Sequence, residues 1–142
     1  MLRWKYPKDE AKRLAPLVLA YIGDAVFELY VRCYMATKEV KVKKLHRGTV
    51  EMVSAEAMAI FYREVEPYLN ETELEVLHRG RNVKSRHNKR AGVSQYHMST
   101  GFEALVGYLF LSDQEERLNE LVDILIGDEH EGHEDNERVE AE

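Results

Sequence analysis

The sequence predicts an all-α fold, and three observations predict it. Apolar residues recur at helical rather than alternating spacing along almost the whole body of the chain. Pro and Gly are sparse, at 3 and 8 of 142 residues, so few turns interrupt the helical segments. Residues that favour helix starts (Pro16, Ser54, Asn70, Ser99 and Asp113) stand at the heads of successive apolar segments. A chain of 142 residues is long enough for one domain with one core.

Residues 1–13 form a lead-in, with Trp4 and Tyr6 expected to pack on the body. Pro16 suits the first turn of a helix over Leu14 to Met35, LAPLVLAYIGDAVFELYVRCYM. Its apolar residues lie on nearly every face, which predicts burial of most of its surface. Residues 37–47 (TKEVKVKKLHR) carry five Lys or Arg against Glu39 alone and make a basic entrance to the next helix. Helical patterns run from about Lys44 to Ala55 and from Ser54 to Val65, where Pro67 ends them. Asn70 with Glu73 three residues on is a capping pair for a helix reaching about Arg79. Residues 79–98 (RGRNVKSRHNKRAGVSQYHM) hold six Lys or Arg, no acid and little apolar periodicity, which predicts a functional or disordered loop. Ser99 then caps a second strongly apolar helix, STGFEALVGYLFL, to about Ser112. Asp113 caps a final helix with Leu118, Leu121, Val122 and Leu125 on one face, and Gly127 stops it.

The formal net charge of −6 is unevenly spread. Residues 128–142 (DEHEGHEDNERVEAE) contain eight acids and one Arg, leaving residues 1–127 with 19 Lys and Arg against 18 Asp and Glu. The expected organisation is a near-neutral domain over 1–127 followed by an acidic, disordered tail over 128–142. Cys33 is the only cysteine, so neither a disulfide framework nor a Cys-based metal site is expected. Asp9 and Glu10 interrupt the basic N-terminus, while Asp24, Glu28 and Arg32 break the longest apolar run. Neither a secretory leader nor a membrane span is therefore expected, and the chain reads as cytoplasmic.

Asp24, in the middle of the first apolar run, is the residue that most needs explaining. An ionised carboxylate among apolar side chains is costly unless a cation, a metal or hydrogen-bond donors meet it. A structural ion pair with Arg32 or Arg13, helped by Glu28, is one answer. The second apolar helix repeats the oddity, with Glu103 between Phe102 and Ala104. Small residues lie close to both acids: Ala20 and Gly23 beside Asp24, and Gly107 one turn after Glu103. Were these faces to meet, the backbones could approach closely and the carboxylates converge. Two acids sharing a site repel unless a cation sits between them, and hard carboxylate oxygens are what Mg²⁺ prefers.

The stretch LAYIGDAVFELYVR resembles the signature helix of the ribonuclease III family, and TGFEALVGYLFL resembles that family's second catalytic helix. The resemblance covers about residues 10–127, and the short chain is similar to the branch in which no double-stranded-RNA-binding domain follows the catalytic one. It implies a helical, homodimeric, Mg²⁺-dependent endonuclease that cuts structured, double-stranded RNA. That branch is associated with trimming the precursor of large-subunit (23S) ribosomal RNA. By resemblance, Asp24 and Glu103 are the catalytic residues and the Mg²⁺ ligands. The family's full pattern has further carboxylates four residues before the Asp and three before the Glu, where this chain has Ala20 and Thr100. Water, the scissile phosphate or Glu28 could fill the gap, although an i,i+4 pair with Arg32 is the stronger expectation for Glu28. The alternative those departures suggest is a catalytically silent dimer of the same fold, an RNA-binding module in ribosome assembly.

Double-stranded RNA is read mostly by shape, through phosphates and 2′-hydroxyls. Arg79, Arg81, Asn82, Lys84, Arg86 and Lys89 of the basic loop suit that use and are the expected RNA contacts. The basic run 38–47 is a weaker candidate, and His87 and His97 are expected to be merely exposed. Glu75 and His78 have the Glu-x-x-His spacing of di-iron bundles but lack the further ligands such a site needs. The aromatic and aliphatic residues of the signature helix exceed what a small monomer need bury, which points to a symmetric dimer.

Overall fold

The structure is a computed structural model that describes residues 3–83 and 93–127. The expectations for Lys84, Arg86, His87 and Lys89, and for the acidic tail, lie outside the described residues. Among the described residues every regular element is helical: α1 (Lys8–Ala11), α2 (Pro16–Ala36), α3 (Val42–Met52), α4 (Ala55–Val65), α5 (Glu71–Arg81), α6 (Val93–Leu111) and α7 (Glu115–Val122). A 3₁₀ turn over Glu66–Tyr68 follows α4, and a π turn over Asp123–Gly127 follows α7.

Helix α6 is the axis of the fold, with α2, α4 and α5 packed around it. Its sequence explains the position: Phe102, Ala104, Leu105, Val106, Tyr108 and Leu109 cover most of its circumference and are all buried. Phe27 of α2 meets Phe102 edge to face at 4.9 Å and Phe61 of α4 at 5.6 Å, so one aromatic cluster joins three helices. Leu118, Leu121, Val122 and Leu125 close the core from below, as their spacing predicts.

The caps are partly as expected. Pro16 occupies the first turn of α2, and the Ser54 hydroxyl accepts the Ala57 N–H at 3.1 Å. Asn70 and Glu73 form a complete capping box. Two caps fall elsewhere. Helix α6 begins at Val93, six residues before Ser99, whose hydroxyl instead donates to the Tyr96 carbonyl at 2.8 Å inside the helix. Ser94, Gln95 and Tyr96 are exposed, so this first stretch is helical without burying a face, and apolar periodicity reports burial rather than helicity. Asp113 has a positive φ of 58°, a left-handed residue that turns the chain out of α6. Gln114 takes the N-cap position of α7 without a capping bond, its side-chain amide donating to the Ser112 hydroxyl at 2.8 Å.

The lead-in is anchored by Lys5 rather than by aromatic packing. Trp4 is 73% exposed. The Lys5 ammonium donates to the Phe110 carbonyl at 2.5 Å, lies 3.4 Å from that ring's centre, and pairs with Asp113 and Glu115. The expected burial of α2 is also only partial: Tyr21 is 78% exposed and Leu29 60%, so one apolar stripe of the signature helix faces outward.

Candidate active site

The site is built where α2 and α6 cross in backbone contact. A methyl group placed on Gly23 would lie 1.7 Å from the Glu103 carbonyl oxygen, and one on Gly107 would lie 1.9 Å from that of Leu19. No side chain fits at either point, so only glycine permits this crossing. Because Gly23 opposes Glu103 and Leu19 opposes Gly107, the helices run antiparallel. The residue next to Gly23 is Asp24, and the helix geometry delivers its side chain to the Glu103 carboxyl.

The two acids share a side-chain hydrogen bond. Partial burial, that bond and the Asp24 charge, in this order of size, push the Glu103 carboxyl up to about 8. Near neutral pH a proton therefore occupies the space between the oxygens. Asp24 lies on the exposed side of α2, so the pair opens to solvent at its outer edge. Structural pairing of Asp24 with Arg32 or Arg13 is not what the fold provides. Arg32 instead pairs with Glu28 at 3.4 Å, the i,i+4 pair expected for that Glu.

Among the described residues no three His, Cys, Asp or Glu side chains gather. Ala20 is buried beside the crossing, and the Thr100 hydroxyl donates to the Tyr96 carbonyl at 2.9 Å, so neither adds a carboxylate. The donor set is thus two acids, both hard oxygen ligands. That set suits Mg²⁺, an ion that keeps several waters and needs few protein carboxylates.

Three of the expected RNA contacts fall among the described residues. Asn82 is exposed just after α5. The Arg81 guanidinium donates to the Tyr62 hydroxyl at 3.0 Å and to Asn82 at 3.2 Å. That of Arg79 donates to the Lys12 carbonyl. Both arginines thus hold the end of α5 against the body while part of each stays accessible. Of the incidental candidates, His78 pairs with Glu66 at 3.0 Å rather than joining Glu75 in a metal site.

Residues 17–114 match the family model described as Ribonuclease III domain, a span that runs from the first turn of α2 past the end of α6. The chain belongs to the ribonuclease III family. Curated relatives include a Mini-ribonuclease 3 of Clostridium tetani, 46% identical over 125 residues that cover 86% of this chain and 83% of that protein. A Mini-ribonuclease 3 of Desulfitobacterium hafniense is 45% identical over 120 residues, covering 82% and 76%. A crystal structure of a Fusobacterium nucleatum protein superposes with a TM-score of 0.74 at 26% identity, covering 82% of this chain and 95% of that one. As a member of that family the protein is an endoribonuclease. No helix among the described residues is long and apolar enough to cross a membrane.

One exposed apolar surface was only half legible. The outward stripe of α2 adjoins a hollow of about 570 Å³ lined by Ile22, Val26, Leu29, Tyr30, Cys33 and Phe110. Its signal in the sequence was the excess of apolar residues on this helix, but that excess reads equally as core.

Proposed function

We propose that this endoribonuclease cuts structured, double-stranded RNA with Mg²⁺ held by Asp24 and Glu103, and that it matures the precursor of large-subunit (23S) ribosomal RNA in the cytoplasm. The observation that carries the reading is the meeting of two carboxylates at a glycine-only helix crossing, where burial and the facing Asp24 raise the pKa of Glu103. Repulsion between acids so placed is relieved by a proton or by a cation, and a divalent ion relieves both charges at once. Bound there, Mg²⁺ would supply Lewis acidity toward the phosphate and lower the pKa of a coordinated water.

The protein's own residues set the terms of that chemistry. Glu103, with its raised pKa, would have to give up a proton to act as a ligand, which would couple loading of the site to pH. Asp24 is exposed at the open edge, where it would face an approaching phosphate backbone. Gly23 and Gly107 fix the separation of the acids through the backbone, which spares the site any reorganisation. No His or Ser nucleophile is needed. Arg79, Arg81, Asn82, Lys84, Arg86 and Lys89 would meet phosphates on one side of the cut.

The same reading includes a symmetric homodimer. An apolar stripe holding Tyr21, Ala25, Leu29 and Cys33, beside an apolar hollow, is more than a monomer of this size usually leaves exposed. A second copy would cover both stripes and set two sites along one duplex.

Incubation with the host's precursor ribosomal RNA, with and without Mg²⁺, followed by mapping of the ends, tests the proposal. Discrete Mg²⁺-dependent cuts within a duplex stem of the large-subunit precursor are expected. Cleavage of other duplexes with that precursor left intact would overturn the substrate, and cleavage without divalent ions would overturn the metal reading.

A further inference from the structure

Arginines are held in this protein in two different ways. Arg117 donates to the carboxylates of Glu73 and Glu120 at 2.9 and 3.0 Å, so its charge is cancelled where it sits. Arg81, at the end of α5, is held as firmly but by neutral oxygens. Its guanidinium donates through Nη1 to the Tyr62 hydroxyl at 3.0 Å and through Nε to the Asn82 side-chain oxygen at 3.2 Å. Among the described residues it forms no ion pair. The second Nη1 hydrogen and both on Nη2 are left over, and a guanidinium edge of that kind suits phosphate oxygens. A carboxylate in place of the phenol would hold the arginine equally well and cancel the charge a phosphate needs.

Tyr62 is in turn fixed from two sides. It is 2% exposed on α4, and its ring is wedged against α6. A methyl group placed on Gly101 would lie 3.0 Å from the Tyr62 ring, 2.7 Å from the Leu77 carbonyl oxygen and 3.1 Å from the Arg81 backbone nitrogen. Helices α4, α5 and α6 therefore meet at Gly101, two residues before Glu103. On its other side the Tyr62 hydroxyl shares a side-chain hydrogen bond with Glu66. Burial, ahead of the Arg81 charge that opposes it, pushes the phenol up from its ordinary value, so the hydroxyl keeps its proton. It donates to the carboxylate and accepts from the guanidinium, and each bond strengthens the other. Glu66 is tied to α5 as well, its Oε2 lying 3.0 Å from His78 Nε2. The direction of Arg81 is thus set from the helix that carries Glu103.

We propose that Tyr62 and Glu66, which themselves touch no RNA, are positioning residues: they hold the Arg81 guanidinium, with its charge intact, at a fixed place relative to Glu103, ready for a phosphate of the duplex. This rests on the reading of the protein as a double-strand-specific nuclease with Arg81 among its RNA contacts. An unsupported arginine gives up its rotamer freedom only when it meets the phosphate. Here the chain has already ordered the side chain, so binding is spared that loss.

The test is binding of a short RNA duplex without divalent ions, measured across a salt series, for the full chain, Tyr62→Phe, Arg81→Gln and the double variant. Tyr62→Phe keeps the ring against Gly101, and the Arg81 and Glu66 side chains it releases are both partly open to water, so it is expected to melt within a few degrees of the parent. Arg81→Gln should weaken binding at low salt about tenfold and make the log–log salt slope shallower by about one. Tyr62→Phe should weaken binding about fivefold and keep most of the slope, because the charge remains but is no longer aimed. In the Arg81→Gln background the same change should cost less than about twofold. With Mg²⁺, KM for cleavage by Tyr62→Phe should rise in step while kcat holds within about twofold. If Tyr62→Phe melts far below the parent, Glu66→Gln carries the test from a half-exposed position, with a weakening that again disappears without Arg81. Parental binding by Tyr62→Phe would overturn the proposal, as would an equal loss with and without Arg81, the mark of a merely structural role. Parental binding by Arg81→Gln would overturn it together with the place of Arg81 among the RNA contacts. A parent that binds the duplex but never cuts it would instead overturn the nuclease reading and leave the positioning of Arg81 standing.

Discussion

Two glutamates of this protein sit against helices in the interior, and their surroundings could hardly differ more. Glu73 is 1% exposed, yet every lone pair that matters is answered. Arg117 donates to it through two nitrogens at 2.9 Å, and the Asn70 N–H adds a third bond at 2.9 Å. Arg117 is itself held by Glu120 and the Tyr68 carbonyl. Glu103 is less buried, but what faces it is another acid, and its pKa climbs to about 8. Burial is therefore not what distinguishes a working carboxylate from a structural one. The partner distinguishes them: Arg117, a cation supplied by the chain, completes Glu73, whereas Glu103 faces only another acid.

The contrast is broken most severely at the backbone. Gly23→Ala would drive a methyl group into the Glu103 carbonyl, and neither backbone can yield without separating α2 from α6. A cost of about 3 kcal/mol or more is expected, at the upper end of overpacking effects. Any folded fraction should have lost its cleavage, because the acids no longer meet. Chemical denaturation of the variant beside the parent measures the first, and duplex cleavage per folded molecule the second.

Glu73→Gln attacks the structural carboxylate alone. It strands Arg117, which keeps some access to solvent, so a loss of about 2–4 kcal/mol is expected. Cleavage by the folded protein should be unaltered. Equal loss of stability and of specific activity would erase the distinction between the two glutamates.

Much of this was readable from the chain. The signature helix, the capping box at Asn70 and the convergence of Asp24 with Glu103 follow from spacing and from small residues beside each acid. Others depended on tertiary context. Glu73 announced only a cap; its burial against Arg117 joins residues 44 positions apart, which no local pattern encodes. The first turns of α6 carry no apolar face to detect, and Asp113, a good cap by residue type, adopts a left-handed turn after α6. The outward stripe of α2 looked like core because an exposed apolar stripe has the same composition as a buried one.

A gentler probe of the acid pair is pH. The unfolded Glu103 titrates near 4.5 and the folded one near 8, so between these values the folded chain holds a proton that the unfolded chain has lost. The stabilisation this gives is complete below pH 4.5 and is lost as pH rises to 8, where it levels off. Melting temperatures of the metal-free protein should decline across that window more steeply than those of Glu103→Gln. Stabilisation by Mg²⁺ should grow over the same range, because the ion no longer competes with a proton.

The smallest expected change in stability accompanies the largest change in function, and it tests the central claim most directly. Glu103→Gln keeps the shape of the side chain and removes the charge that opposes Asp24. If the pair exists to hold a metal, metal-free Glu103→Gln should melt at or above the parent's temperature, gain less from added Mg²⁺, and cleave duplex RNA at least a hundredfold more slowly, a loss of about 2.7 kcal/mol of transition-state stabilisation. If Glu103 were instead a structural partner like Glu73, the variant would melt several degrees earlier and still cut RNA, and that result would contradict the account.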